Sequence, residues 1–146
     1  MTITTHSKEE TQTVAANLAH ELQGGEFISL IGDLGAGKTT FAQGLVAALG
    51  SSARVKSPTF TVMNEYPVQH HPLIRHVVHC DLYRFTKISE IGALELDEYR
   101  RPDTVIIAEW PNILADVDWK PDITVTLKHC ADEDSNERSI EILGIS

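Results

Sequence analysis

Glu26-Phe27-Ile28-Ser29-Leu30-Ile31, running straight into Gly32-Asp33-Leu34-Gly35-Ala36-Gly37-Lys38-Thr39, is the stretch that decides how this chain folds. Its first six residues are short, apolar and β-branched at two positions, as suits a strand buried on both faces. The next eight match G-x-x-x-x-G-K-[ST], a glycine-rich loop that cradles phosphates when it joins a strand to a helix. Residues 39–49 supply that helix, with Phe41, Leu45, Val46 and Leu49 on its apolar side and Gly50 at its end. The glycines let the backbone curl until several N–H groups face inward, and the positive end of the following helix points at the same place. Asp33, Gly35, Ala36, Gly37, Lys38, Thr39 and Thr40 are therefore expected to bind a nucleotide, with Lys38 on its β and γ phosphates. Thr39 offers a hydroxyl to Mg2+, a hard cation that takes oxygen ligands.

Upstream, Ser7-Lys8-Glu9-Glu10 has the form of a capping box, and Val14, Leu18 and Leu22 recur every four residues before Gly24-Gly25. A helix is expected there. Downstream, enrichment in Val, Ile and Thr predicts strands at 59–66, 75–80, 104–108, 123–128 and 139–143, with a helix over 88–99. This alternation argues for one three-layer α/β P-loop domain over residues 1–146, its central sheet mainly parallel or mixed. The least ordered segments are expected at 67–72 and 131–136, where Pro, His or acidic residues interrupt the apolar pattern.

A phosphate cradle needs an acid near the metal and a group to place the attacking water. Four apolar residues, Val105-Ile106-Ile107-Ala108, lead into Glu109, so a buried strand delivers that carboxylate to the carboxyl edge of the sheet. Asp81, in His79-Cys80-Asp81-Leu82-Tyr83-Arg84, is the second acid. Guanine recognition normally uses Asn-Lys-x-Asp, and the nearest text, Thr86-Lys87-Ile88-Ser89, lacks the acid. ATP is the expected nucleotide.

The net charge of −9, with 12 Lys and Arg against 21 Asp and Glu, argues against a strong independent grip on nucleic acid. Arg75, Arg84, Arg100 and Arg101 are the residues that could still form a local basic strip. No apolar run is long enough to cross a bilayer and no leader-like segment opens the chain, so a cytoplasmic protein is expected. Two cysteines, Cys80 and Cys130, stand far apart and read as reduced thiols. His70, His71, His76 and His79 fall within ten positions, but no Cys-x-x-Cys accompanies them, and zinc is the weaker reading.

Taken in order, Gly32 to Thr40, Val55-Lys56-Ser57-Pro58-Thr59-Phe60, His79-x-Asp81-x-Tyr83-Arg84 and Glu109-Trp110-Pro111 resemble the ATPase family of bacterial tRNA threonylcarbamoyladenosine biosynthesis. The match runs from about Ser7 to Arg138. The resemblance implies a catalytic set of Lys38, Asp81 and Glu109, with Thr39 and Glu109 on magnesium and Asp81 supporting hydrolysis. It also implies Trp110 beside the nucleotide, Arg138 and Thr11 contributing to nucleotide binding, and a switch-like loop at 57–61. The implied partners are the threonylcarbamoyl transferase subunit and its paralogous partner (TsaD and TsaB), with tRNA reached through that complex and no membrane. Gln69-His70-His71-Pro72 departs from the pattern and is expected to alter a surface loop. The alternative is a small P-loop kinase acting on a metabolite, which would need an arginine-bearing lid; Arg100-Arg101 is the one segment that invites the comparison.

Overall fold

Ser7 opens the first helix as its sequence requires. Its backbone is extended and its Oγ accepts a hydrogen bond from the Glu10 N–H at 3.1 Å, while the Glu10 carboxylate reaches back to the His6 N–H. Residues 1–33, 35–52, 54–55, 63–82, 96–109, 120–130 and 135–144 are described by the computed structural model. They form β1 (Thr2–Thr5), α1 (Lys8–Ala19), β2 (Phe27–Gly32), α2 (Lys38–Ala48), β3 (Met63–Pro67), β4 (His76–Asp81), a 3-10 turn (Leu96–Tyr99), β5 (Thr104–Glu109), β6 (Ile123–His129) and β7 (Arg138–Leu143). Residues 59–62 of one expected strand and 88–95 of one expected helix lie outside them.

The seven strands make one sheet in the order β1-β7-β6-β2-β5-β4-β3. Its centre, β6-β2-β5-β4, is parallel, and β3, β7 and β1 pair antiparallel at the flanks, so the sheet is mixed. β5 is buried at all six positions, as a strand covered on both faces must be. The sequence reading gives no strand before Ser7. The structure has one because Thr2 to Thr5 can pair with β7 through the backbone alone, and three threonines carry no apolar alternation to announce it.

Alternation along the strands divides the core in two. Val77, Val105, Ile107, Ile28 and Leu30 face α1 and α2 and join the larger cluster, with Leu18, Phe41 and Leu45. Val78, Cys80, Ile106, Ala108 and Phe27 face the other way, against Leu96 and Tyr99. The two helices meet each other closely at Gly44, where a Cβ would lie 2.7 Å from both Cα and carbonyl O of Gln12. The segment between β3 and β4 is held by Val68 N–H donating to the Arg75 carbonyl at 2.8 Å and by His71 Nδ1 accepting from the N–H groups of Leu73 and Ile74. It lies at the amino edge of β4, away from the loop that follows β2.

Because backbone atoms and not a flexible side-chain tip fill the space beside Gly44, Gly44→Ala is expected to destabilise the fold by up to about 2 kcal/mol, an overpacking cost of about 1–3 kcal/mol less the roughly 1 kcal/mol that alanine gains in helix propensity. Urea unfolding checks this, and a variant as stable as the parent would contradict the close helix contact.

Candidate functional site

The loop between β2 and α2 has the backbone its glycines permit. Gly35 and Gly37 sit at φ of +80° and +104°, conformations that side-chain-bearing residues rarely adopt. The Ala36 N–H donates to the Asp33 carbonyl at 3.0 Å, closing a tight turn, and α2 then starts with no side-chain cap on its first N–H groups. Lys38 is half-buried and its Nζ donates to the Gly32 carbonyl at 2.6 Å, folding the ammonium across the loop. Thr39 and Thr40 are half-buried, Ala36 is buried, and Asp33 and Gly35 are exposed. Gly32 is itself constrained, since a Cβ there would approach the Leu127 carbonyl of β6 to 2.8 Å.

Strand order brings the acids to this loop. β5 lies between β2 and β4, with Leu30 opposite Glu109 and Glu109 opposite Asp81 in the parallel ladders. Both carboxylates therefore stand at the carboxyl edge where β2 turns into the loop. The pleat puts them on the α2 side, because Val77, His79 and Asp81 share one face of β4 as Val105, Ile107 and Glu109 share one face of β5. Glu109 is 4% exposed and Asp81 9%. The ladder continues one step further, Leu82 N–H donating to the Glu109 carbonyl at 3.2 Å. Deeper by two residues, His79 is fully buried and its Nε2 lies 3.2 Å from Glu109 Oε1. Among the described residues no three His, Cys, Asp or Glu side chains gather as a metal cluster. Two carboxylates at the strand edge where β2 turns into the loop instead suit a hard cation that draws its remaining oxygens from phosphate and water.

A cleft of about 210 Å³ opens on the other side of the loop, lined by Ser7, Lys8, Thr11, Gly35, Gly37, Thr40, Asn136 and Arg138. Thr11 is 3% exposed and shares a hydrogen bond of 2.8 Å with Thr5 Oγ1. Arg138 starts β7, and its guanidinium donates to the Gly35 carbonyl at 3.2 Å and to the carbonyls of Ser135 and Glu137. Thr11 and Arg138, from opposite ends of the sequence, thus face the loop from one cleft. Such a cleft, continuous with a phosphate cradle, can take the nucleoside end of a nucleotide.

Some expected residues fall elsewhere. Trp110, Arg84 and residues 57–61 lie outside the described residues. His71 is engaged with backbone N–H groups, His76 Nδ1 lies 3.3 Å from Glu65, and His70 packs by Gly50, so these rings serve separate local contacts. Arg75, Arg100 and Arg101 precede β4 and β5 at the amino edge, opposite the loop; Arg101 Nε donates to the Glu98 carbonyl and Arg100 lies 6.0 Å from the Phe27 ring. Sequence reasoning missed Ser7, Lys8 and Asn136 as cleft residues, and took His79 only as a motif member. The parity of His79 and Asp81 in one strand was the available signal for the latter.

A model of the family described as threonylcarbamoyl adenosine biosynthesis protein TsaE matches residues 5–140. The tRNA threonylcarbamoyladenosine biosynthesis protein TsaE of Bacillus subtilis is 36% identical over 130 residues, covering 89% of this chain and 78% of its own. That of Aquifex aeolicus is 42% identical over 110 residues, covering 69% of this chain and 80% of its own. Among solved structures, the crystal structure of Bacillus subtilis YdiB superposes with a TM-score of 0.73 at 31% identity, over 96% of this chain and 82% of that one.

The pleat that brings His79 and Asp81 to the site turns Cys80 away from it. Burial, and secondarily the charge of Asp81, push the Cys80 thiol from 9.0 up to about 12. The folded state thus keeps a proton that the unfolded chain loses, and this group's contribution to stability is intact below pH 9 and falls as pH rises from about 9 to about 12. In the native protein iodoacetamide is expected to modify half-buried Cys130 and to reach Cys80 only after unfolding. Equal labelling rates by mass spectrometry would overturn this placement.

Proposed function

The chain belongs to the TsaE family of threonylcarbamoyl adenosine biosynthesis proteins, and from that premise we propose that it binds and hydrolyses ATP, with Mg2+, in support of threonylcarbamoyl modification of tRNA adenosine next to the anticodon. The observation that carries this reading is the juxtaposition of Glu109 and Asp81 across the β4–β5 ladder, on the same edge and face as the loop that ends in Lys38 and Thr39. A phosphate-binding loop alone serves many purposes; one with two buried acids beside it is equipped for hydrolysis.

The roles divide by chemistry. Backbone N–H groups of Gly35 and of Gly37 to Thr39 hold the phosphates, the Ala36 N–H being engaged with the Asp33 carbonyl, and Lys38 exchanges the Gly32 carbonyl for phosphate oxygens. Thr39 and Glu109 would hold Mg2+, which when bound would offset negative charge on the phosphates. Asp81 would orient the attacking water; the water's oxygen bonds to the γ phosphorus as the bond to the β–γ bridging oxygen breaks, ADP leaves with that bridging oxygen, and the water's proton passes to the phosphate formed or to solvent. Thr11 and Arg138 line the nucleoside end, Arg138 also steadying the loop through Gly35; Asp33, Ala36, Thr40 and Trp110 complete the expected nucleotide-binding set. ATP is favoured over GTP by the missing Asn-Lys-x-Asp segment.

The protein works with the transferase subunit and its paralogous partner, in the cytoplasm with their tRNA. None of the described helices is long and apolar enough to cross a membrane. Where a partner supplies an arginine to offset the developing charge, phosphoryl transfer gains about 10³–10⁵ in rate, so hydrolysis by the isolated chain is expected to be slow and to be accelerated by the partner complex. Nothing favours the kinase alternative: Arg100 and Arg101 sit at the edge of β5 opposite the loop, where a lid over the phosphates cannot close.

Calorimetry is expected to give tighter binding of ADP than GDP, and Lys38→Ala to weaken ATP by about 10- to 100-fold, given about 1.5–3 kcal/mol for a charge-assisted contact. Asp81→Ala should lower phosphate release by the partner complex more than nucleotide binding. Equal affinities for ADP and GDP, or wild-type turnover alone equal to that with partners, would sink the reading.

A further inference from the structure

We propose that His79 is a positioning residue for Glu109: its Nε2–H donates to Oε1 and fixes the carboxylate so that the other oxygen is presented to the metal ion. The inference rests on the reading of Glu109 as a magnesium ligand. Its own ground is the arrangement of two buried groups on adjacent strands. His79 lies beside Ile107 in the β4–β5 ladder, so Glu109 is its diagonal neighbour two residues on, on the same face. The contact measures 3.2 Å, with the imidazole fully buried and the carboxylate side chain 5% exposed.

Hydrogen-bond inventory assigns the direction. An ionised carboxylate only accepts, so the ring nitrogen that faces Glu109 must carry the proton. The other nitrogen, Nδ1, is buried with no partner among the described residues. The tautomer with its proton on Nε2 serves Glu109 and leaves only a lone pair in the core, whereas a proton on Nδ1 would leave a buried donor with no acceptor among the described residues. A leucine or methionine at this position would fill the α2-side core without any unpaired polar atom, as Val77 does two residues earlier. The imidazole is accounted for by what it does to Glu109, and that bond is the one the Glu109 side chain makes among the described residues.

A free glutamate side chain at a strand end samples several rotamers, and holding it in one lowers the entropy lost when it takes a metal ion. Loss of an outer partner of this kind typically weakens metal affinity by about 10- to 100-fold. Nucleotide contacts through the backbone of the loop do not depend on it. The predicted signature is therefore a split between metal and nucleotide.

The experiment uses the full chain, with ADP titrated calorimetrically with and without Mg2+, and Mn2+ binding to the ADP complex followed by electron paramagnetic resonance. His79→Leu keeps the volume without a donor, His79→Gln keeps a donor near the Nε2 position, and Glu109→Gln removes the proposed ligand's charge. Thermal unfolding selects variants that fold. Expected are a Mn2+ affinity about 10- to 100-fold weaker in His79→Leu, recovery of most of it in His79→Gln, and magnesium-free ADP affinity unchanged in both. Equal Mn2+ affinities in His79→Leu and His79→Gln, with Glu109→Gln strongly impaired, overturn the positioning role while leaving the metal reading standing. Full Mn2+ affinity in Glu109→Gln overturns both. Should His79→Leu fail to fold, His79→Met supplies the same comparison.

Discussion

Everything at the site depends on β5 being held between β2 and β4. A strand buried on both faces has no water to satisfy its backbone, so its N–H and C=O groups must be paired on both sides, and the two parallel ladders do this. Once both ladders form, register is no longer free. A slip of one residue would turn Glu109 to the opposite face and bury it against Leu96 and Tyr99, where the described side chains are apolar or aromatic. The apolar run before Glu109 therefore places a carboxylate as firmly as it builds a core.

Along the α2 face, character changes from the amino to the carboxyl edge. Val77 and Val105 give way to His79 and Ile107, and these to Asp81 and Glu109. The first residues contribute burial, at roughly 25 cal/mol per Å² of apolar surface. The last contribute oxygen atoms, and the burial of Glu109 is tolerable because His79 Nε2 lies 3.2 Å from its carboxylate. One strand pair thus anchors the sheet at one end and forms a site at the other. The face turned toward Leu96 shows no such gradient, running Val78, Cys80 and Leu82.

The loop was legible because G-x-x-x-x-G-K-[ST] constrains local backbone, and local backbone is what residue type controls most directly. The first helix was legible for the same reason: Ser7 and Glu10 satisfy each other's neighbourhood within one turn. Its end is less legible, since Leu22 continues the apolar stripe although α1 closes at Ala19. Strand order was not legible. Nothing in Val105 to Glu109 says that β5 inserts between β2 and β4 when α2, β3 and β4 separate it from β2 in sequence. Thr11 and Arg138 are implied by the resemblance alone, because no local periodicity can show that residues so far apart in sequence line one cleft. β1 escaped because an edge strand can rest on backbone pairing, to which side-chain patterns are blind.

The contact of Arg138 with the Gly35 carbonyl spans 103 positions of sequence, and β1 meets β7 across a still longer interval. Closing so long a loop loses entropy before any contact rewards it, and pairings of this kind form slowly and late in folding. The loop between β2 and α2 can acquire its shape from neighbours close in sequence, but the wall that Arg138 and Thr11 add to it exists only once the whole sheet has assembled. Any molecule seated across that seam binds the finished fold and not its precursors, and it raises the stability of the entire molecule by mass action. Occupancy of the cleft is in this sense a report on completed folding.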